Sequence, residues 1–167
     1  MYLIRLLTLL LISFFIISCT NNKNQLQFKE IKYSLAYISD EYDGLFLKNY
    51  LTNNLKSLNV YDNNSNLEIQ TQINHSNKIY ITNADNTSDR EKILSNLVVN
   101  IYNKDEQCKI FEKNYAVSQF YIFASNNYFI SNQKAVKSLK ESNTENLVKK
   151  FINQLDKIDL VCKYESN

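Results

Sequence analysis

The sequence predicts an α+β fold in two layers: a four-stranded, mainly antiparallel sheet with two helices on one face. Two observations predict it. One stretch of alternating apolar and polar residues comes before a segment with helical leucine spacing, and three such stretches come after it. A second, longer segment with helical spacing then closes the pattern. The resulting order, β-α-β-β-β-α, favours a sandwich in which one face of the sheet is covered by both helices.

The first strand is predicted over Leu26–Ser39, which is rich in β-branched and aromatic residues in near alternation. An extended chain points every second side chain to the same side. We therefore expect one apolar face on this strand, made of Ile31, Tyr33, Leu35 and Tyr37.

The first helix is predicted over Leu45–Leu58, where leucines recur at three- and four-residue steps. Asp40, Glu41 and Asp43 precede it and could be read as calcium ligands. They lack the spacing of a known calcium loop. Capping of the positive N-terminal end of the helix by Asp40 or Asp43 explains them better.

Three further strands are predicted in the middle of the chain. The second of them places Ile93, Leu97, Val99 and Ile101 on one face and Asn96 and Asn100 on the other. A polar loop precedes that strand, and a short hairpin connection follows it. The extended stretches are Leu67–Ile73 with its resumption at Lys78–Thr82, then Arg90–Tyr102, and finally Gln107–Gln119; the loop is Asn83–Asp89 and the connection Asn103–Glu106.

The last helical segment is predicted over Ser125–Leu160, with an apolar stripe that includes Leu147, Val148 and Phe151. The middle of the segment, Ser142–Thr144, is weak helix sequence. The pattern therefore leaves one long helix and two shorter helices as alternatives.

The N-terminus has the form of a lipoprotein leader. Arg5 precedes an apolar run of about the length of a signal-peptide core, Leu6–Phe15, which is too short to cross a bilayer. Ile16-Ile17-Ser18-Cys19 then matches the lipobox of bacterial lipoproteins, in which a small residue precedes the cysteine that takes the lipid. We expect cleavage before Cys19 and acylation of its thiol, which would hold the chain to a membrane.

These features divide the chain into a leader at 1–18, a lipidated N-terminus and polar tether at 19–25, and one domain at 26–167. Thr20, rather than an aspartate, follows the lipidated cysteine, and by resemblance to the sorting rule of enteric bacteria this favours the outer membrane. The chain has 19 Lys and Arg residues, one of them Arg5 in the leader, against 17 Asp and Glu. A mature chain so close to neutral gives no electrostatic case for nucleic acid.

The sequence shows no catalytic, metal or cofactor pattern, and we expect no enzyme. His75 is the only histidine, and its polar surroundings predict a solvated residue at a strand end or in a loop. No Cys–His spacing indicates zinc, and a single glycine cannot form a phosphate-binding loop.

Cys108 and Cys162 are predicted to form a disulfide. If the last helix folds back antiparallel on the preceding strand, the start of that strand and the end of the helix meet. Two free thiols would be unusual in an oxidising compartment, and a loop of this length would stabilise the fold by about 3–4 kcal/mol on the entropy model. The alternative is two separately buried free thiols.

Three further features occur together: the lipobox, Asp43-Gly44-Leu45 at the entry to the leucine helix, and Arg90 leading into the strand ILSNLVVNIYN. In these features the domain shows a resemblance to the lipopolysaccharide-assembly lipoprotein family LptE in its alphaproteobacterial form. The resemblance extends over Val117–Leu155, where a last strand ends in a Ser-aromatic run before a long helix. The chain departs from the family in having no Gly or Pro soon after Cys19.

The resemblance implies an outer-membrane lipoprotein that plugs the barrel protein LptD, helps it assemble, and assists delivery of lipopolysaccharide to the cell surface. Arg90 and Lys92 are the expected contacts to the phosphorylated lipid, since phosphate is bound by Lys and Arg; solvated charges at a strand start are the alternative. Asn96 and Asn100 are expected at the partner interface. The competing function is a periplasmic lipid- or substrate-binding, or transport-accessory, lipoprotein, which a sizeable apolar pocket would favour.

Overall fold

A computed structural model of the chain describes residues 31–38, 42–81, 88–122 and 129–162. It confirms the predicted α+β class and the order β-α-β-β-β-α. Four strands form one sheet in the sequential order β1-β2-β3-β4. The elements are β1 (Ser34–Leu35), α1 (Tyr42–Ser57), β2 (Leu67–Ile81), β3 (Ser88–Asn103), β4 (Cys108–Ile122) and α2 (Phe129–Ile152), followed by a 3₁₀ turn at Leu155–Lys157.

Three long strands make up most of the sheet. β2 pairs antiparallel with β3 along its whole length, and β3 pairs antiparallel with β4. Strands that follow one another through short connections pair in this way. β2 is one continuous strand, so the expected stretch Leu67–Ile73 and the expected stretch Lys78–Thr82, as far as Ile81, belong to the same element; Thr82 lies outside the described residues.

β1 is much shorter than the predicted strand. Only Ser34 and Leu35 join the sheet, pairing parallel with Glu68 and Ile69 of β2; residues 26–30 lie outside the described part. The expected apolar face is wrong at Tyr37, which is 76 % exposed, while Ile38 is 5 % exposed. Because the chain leaves the strand after Leu35, the strand-like alternation of buried and exposed side chains does not continue to Tyr37.

The apolar face of α1 covers the sheet. Leu47, Leu51 and Leu55 are fully buried, as the four-residue spacing predicts. Each contributes about 1.5–3 kcal/mol relative to an exposed side chain. Asp43 lies in the first turn of α1, where its charge favours the helix end, and forms an ion pair with Lys140 of α2 at 3.3 Å. Residues 40 and 41 lie outside the described part.

The second helical segment is one helix, which settles the alternative that the sequence left open. α2 runs without interruption through Ser142–Thr144, although Asn143 and Thr144 are polar. Both side chains are buried, with exposures of 0 % and 1 %. The helix ends at Ile152 rather than continuing to Leu160, and the 3₁₀ turn then buries Leu155.

The layer between sheet and helices is filled by side chains from every element. Phe151, Leu147 and Val148 of α2 meet Leu97 and other sheet residues in one cluster with the α1 leucines. Among the described residues, no helix is long and apolar enough to cross a membrane. The predicted leader and the lipidation site Cys19 lie outside the described residues.

Candidate interaction surface

The sheet has one covered and one open face. On β3, Ile93, Leu97, Val99 and Ile101 are buried under the helices. The alternate residues of β3 therefore point to the other side, as does each residue paired with them on β2 and β4. We call this second side the open face.

The centre of the open face is polar but uncharged. Three consecutive cross-strand rows carry only amide, hydroxyl and aliphatic side chains, among them Leu94. Asn96 lies in these rows and Asn100 in the row beside them, so both predicted interface residues are on this face. The three rows are Gln72–Val98–Asn114, Asn74–Asn96–Ala116 and Ser76–Leu94–Ser118.

One end of the open face combines cations with exposed apolar side chains. Arg90 and Lys92 lie there two residues apart on β3, so they share the face. Leu94 is 36 % exposed, and Phe120 and Ile122 of β4 are 57 % and 75 % exposed. We call this end the distal patch, defined by Lys78, Arg90, Lys92, Leu94, Phe120 and Ile122.

The strand register brings two lysines together in the distal patch. Lys78 and Lys92 are directly opposed across β2 and β3, which is unfavourable for like charges. Lys92 also pairs with Phe120 of β4, and its Nζ lies 5.5 Å from the centre of that ring. Lys78, Phe120 and Ile122 were not among the predicted contacts; the signal that would have found them is the antiparallel register with Arg90 and Lys92.

The covered face at the same end carries a buried carboxylate. Glu91 is 8 % exposed and accepts a hydrogen bond from the Tyr121 hydroxyl, its neighbour across β3 and β4. Burial, together with this bond, raises the pKa of Tyr121 well above its ordinary value. The anion and the cations thus lie on opposite sides of the sheet.

His75 is not the solvated residue that the sequence predicted. It lies inside β2, half-buried on the covered face, because β2 continues through the polar stretch. Its Nδ1 lies 2.7 Å from Ser95 Oγ, which also accepts a hydrogen bond from Asn143 Nδ2 at 2.9 Å. Burial lowers the pKa of His75; Asp43 acts in the opposite sense and Lys140 in the same sense. Ser95 is fully buried, so this group lacks the access that a catalytic serine needs.

Cys108 and Cys162 form a disulfide in the structure, with their Cα atoms 5.6 Å apart. It joins the start of β4 to the segment after α2. Glu106 lies beside them, and the three side chains are a group of potential metal ligands. Both sulfurs are bonded to each other and are not thiolates, so the oxidised group is not a metal site.

A shallow groove of about 330 Å³ runs beside this disulfide. It lies between β4 and the segment after α2, and both apolar and charged side chains line it. The groove lies at the edge of the sheet, and two of its lining residues, Phe111 and Ile158, also pack against the core cluster. The lining residues are Ile110, Phe111, Gln154, Lys157, Ile158 and Asp159.

The sheet with two helices on one face is the fold of several solved bacterial lipoproteins. No protein family matches the chain, and no curated protein matches it. The likeness therefore concerns the fold, at sequence identities of 9 to 15 %.

Three of these structures can be named. Lipoprotein B from Nitrosomonas europaea has a TM-score of 0.61 at 9 % identity, covering 77 % of this chain and 83 % of that one. The minor lipoprotein from Acinetobacter baumannii has a TM-score of 0.57 at 15 % identity, covering 77 % and 92 %. Rare lipoprotein B from Shewanella oneidensis has a TM-score of 0.53 at 10 % identity, covering 76 % and 96 %.

Proposed function

We propose that the chain is an outer-membrane lipoprotein that plugs the LptD β-barrel, helps it assemble and assists delivery of lipopolysaccharide. The observation that carries the proposal is the coincidence of a lipobox at Cys19 with a fold shared by solved lipoproteins. The LptE resemblance of the sequence then gives the class of partner. Catalysis has no part in this role.

The open face supports a protein partner of this kind. The lumen of an outer-membrane barrel is polar, and the amides and hydroxyls at the centre of the open face can form hydrogen bonds with it without burying charge. Asn96 and Asn100 lie on that face.

The filled layer between sheet and helices favours the plug over the competing lipid- or substrate-binding lipoprotein. Leu47, Leu51, Ile69, Leu147 and Phe151 are all 0 % exposed. Side chains therefore occupy the space in which an enclosed acyl chain would lie, and the groove beside the disulfide is at the sheet edge. Recognition by the outer surface is the role that this packing supports.

The test of the partner is affinity purification of the tagged full-length protein from detergent-solubilised outer membrane. We expect a large β-barrel protein to be recovered in near-equal amount. Replacing Asn96 and Asn100 by lysine buries two charges at the proposed interface and should reduce the recovered barrel at least about tenfold. Lysine at Asn53 and Asn146, exposed on the helices, is the matched control. The absence of a barrel protein from the wild-type eluate would refute the proposal.

The distal patch is the proposed contact for lipopolysaccharide. Lys78, Arg90 and Lys92 offer cations for phosphate, and Phe120 and Ile122 offer apolar surface for acyl chains. A phosphorylated lipid could bind the cations of the patch with its phosphate and the apolar side chains with its acyl chains.

Charge reversal at Arg90 and Lys92 tests this contact. We expect Arg90→Glu/Lys92→Glu to weaken binding of purified lipopolysaccharide by about tenfold or more, measured with the full-length protein in detergent. Lys48→Glu/Lys134→Glu makes the same change of charge at exposed positions on the helices. Equal affinity of both double variants would remove the patch from the proposal while leaving the barrel partner intact.

A further inference from the structure

The turn between β3 and β4 holds a carboxylate against the disulfide. Glu106 Oε2 lies 2.6 Å from Cys162 Sγ and 3.9 Å from Cys108 Sγ. Sulfurs in a disulfide carry no hydrogen, so these are contacts of an oxygen with the sulfur–sulfur bond rather than hydrogen bonds. Among the described residues, the group seen in contact with this bond is thus a carboxylate.

The backbone of the turn fixes the position of Glu106. Asn103 Oδ1 accepts hydrogen bonds from the backbone N–H groups of Asp105 and Glu106, at 3.0 and 3.3 Å. Gln107 then has a positive φ of 51°, a conformation that favours glycine or asparagine and turns the chain into β4. The carboxylate lies over the disulfide because the turn places it there.

Access to the disulfide is one-sided. Cys108 is only 7 % exposed, whereas Cys162 is half-buried in the segment after α2. An incoming reagent from solvent reaches Cys162 Sγ first. That sulfur is also the closer of the two to Glu106.

We propose that Glu106 protects the Cys108–Cys162 disulfide against reduction by anionic thiols, a role independent of the proposed partner. In the first step a thiolate attacks Cys162 Sγ, forms a mixed disulfide, and releases Cys108 as a thiolate. A second thiolate then attacks the reagent's own sulfur in the mixed disulfide and releases Cys162. The protein gains two electrons and takes two protons from solvent, and two reagent thiols become one disulfide.

Glu106 opposes this reaction through its charge. It repels the carboxylate that an anionic thiol carries beside its reacting sulfur and attracts the ammonium group of a cationic thiol, whereas its repulsion of the reacting sulfur itself is common to both reagents. One negative charge about 4 Å from another in water changes the rate by about fivefold. The effect depends on the charge of the reagent, which distinguishes it from simple steric cover.

The experiment compares two thiols of opposite overall charge on the full-length protein. Reduction is followed by alkylation and peptide mass mapping of Cys108 and Cys162, with 3-mercaptopropionate as the anionic probe and cysteamine as the cationic probe. Glu106→Gln should speed reduction by 3-mercaptopropionate about fivefold and by cysteamine much less. Glu106→Lys should extend the same trend, and Glu145→Gln, on α2, should change neither rate.

Two outcomes would overturn the proposal. If Glu106→Gln speeds both probes equally, Glu106 does not discriminate between reagents by their charge, and the protection against anionic thiols is refuted. If neither rate changes, the carboxylate has no influence on the disulfide. High salt supplies a further check, because screening should reduce the difference between the probes in the wild type and leave Glu106→Gln unaffected.

Discussion

At the scale of single residues, the polar group formed by His75, Ser95 and Asn143 connects three elements under the helices. Ser95 and Asn143 are both 0 % exposed, and Ser95 Oγ contacts the other two. His75 Nε2 and Asn143 Oδ1 are buried without a hydrogen-bond partner among the described residues. A proton added to His75 would place a charge in this layer, so the group favours the neutral histidine.

We expect the free energy of unfolding to fall as the pH drops below about 6.5. Burial lowers the pKa of His75 from its ordinary value of 6.5, so the unfolded chain takes up a proton that the folded chain resists. The stabilisation is fully present above 6.5 and is lost as the pH falls toward the pKa of the folded state. Urea unfolding at pH 7.5 and 6.0 measures it.

The matched variant is His75→Gln, since the chain has no other histidine. The variant should show a smaller difference in unfolding free energy between the two pH values than the wild type. An identical difference in both proteins would mean that His75 does not carry the pH dependence.

At the scale of elements, α1 packs on the sheet through a row of buried leucines. Its buried positions follow each other at four-residue steps, whereas Leu45 on the same helix is 47 % exposed. α2 combines an apolar half, ending at Phe151, with a polar half that reaches the sheet through Asn143. The two helices therefore attach to the sheet by different means.

Shortening a buried leucine side chain of α1 should lower the free energy of unfolding. Leu51→Ala is expected to lower the free energy of unfolding by about 2–5 kcal/mol, because it removes a fully buried side chain and leaves a cavity. Leu45→Ala, the same change at an exposed position of α1, should alter it by no more than about 0.5 kcal/mol. Urea denaturation of the three proteins gives the comparison, and similar losses for both variants would contradict the packing described.

The elements show what sequence patterns can and cannot predict. The leucine spacing of α1 and the alternation of β3 predicted the buried residues, because each pattern has a single period that the backbone imposes. The end of β1 and the place of His75 were not predictable, since the first depends on the pairing of β1 with β2 and the second on the pairing of β2 with β3. Asn143 looked like a weak point in the helix for the same reason: its partner, Ser95, is 48 positions away in the chain. The distal patch needed the register between strands, which no single strand contains.

At the scale of the whole molecule, the proposed function assigns membrane attachment to a lipid on the N-terminal part of the chain and recognition to the open face of the domain. Lipidation and recognition then belong to different residues. Cys19 precedes the domain, whereas the open face is formed by β2, β3 and β4. Each can be altered without the other.

Cys19→Ala should abolish lipidation while leaving the fold intact. We expect no incorporation of labelled fatty acid and retention of the leader, visible as a larger precursor, because the lipobox peptidase requires the modified cysteine. Cys108→Ser/Cys162→Ser is the control and should remain labelled and processed. Label persisting in Cys19→Ala would place the lipid elsewhere.

The parallel pairing of β1 with β2 also fixes how far the distal patch lies from the place where β1 joins the sheet. The chain joins the sheet where Ser34 lies beside Glu68, and Lys78 of the distal patch follows ten residues further along β2. Ten residues of strand span about 34 Å, close to the thickness of a bilayer core. The long strands thus separate the cations of the distal patch from the end of the sheet where β1 pairs with β2. Removing two residues from each of the three long strands would draw the patch about 7 Å toward that point and leave its chemistry unchanged.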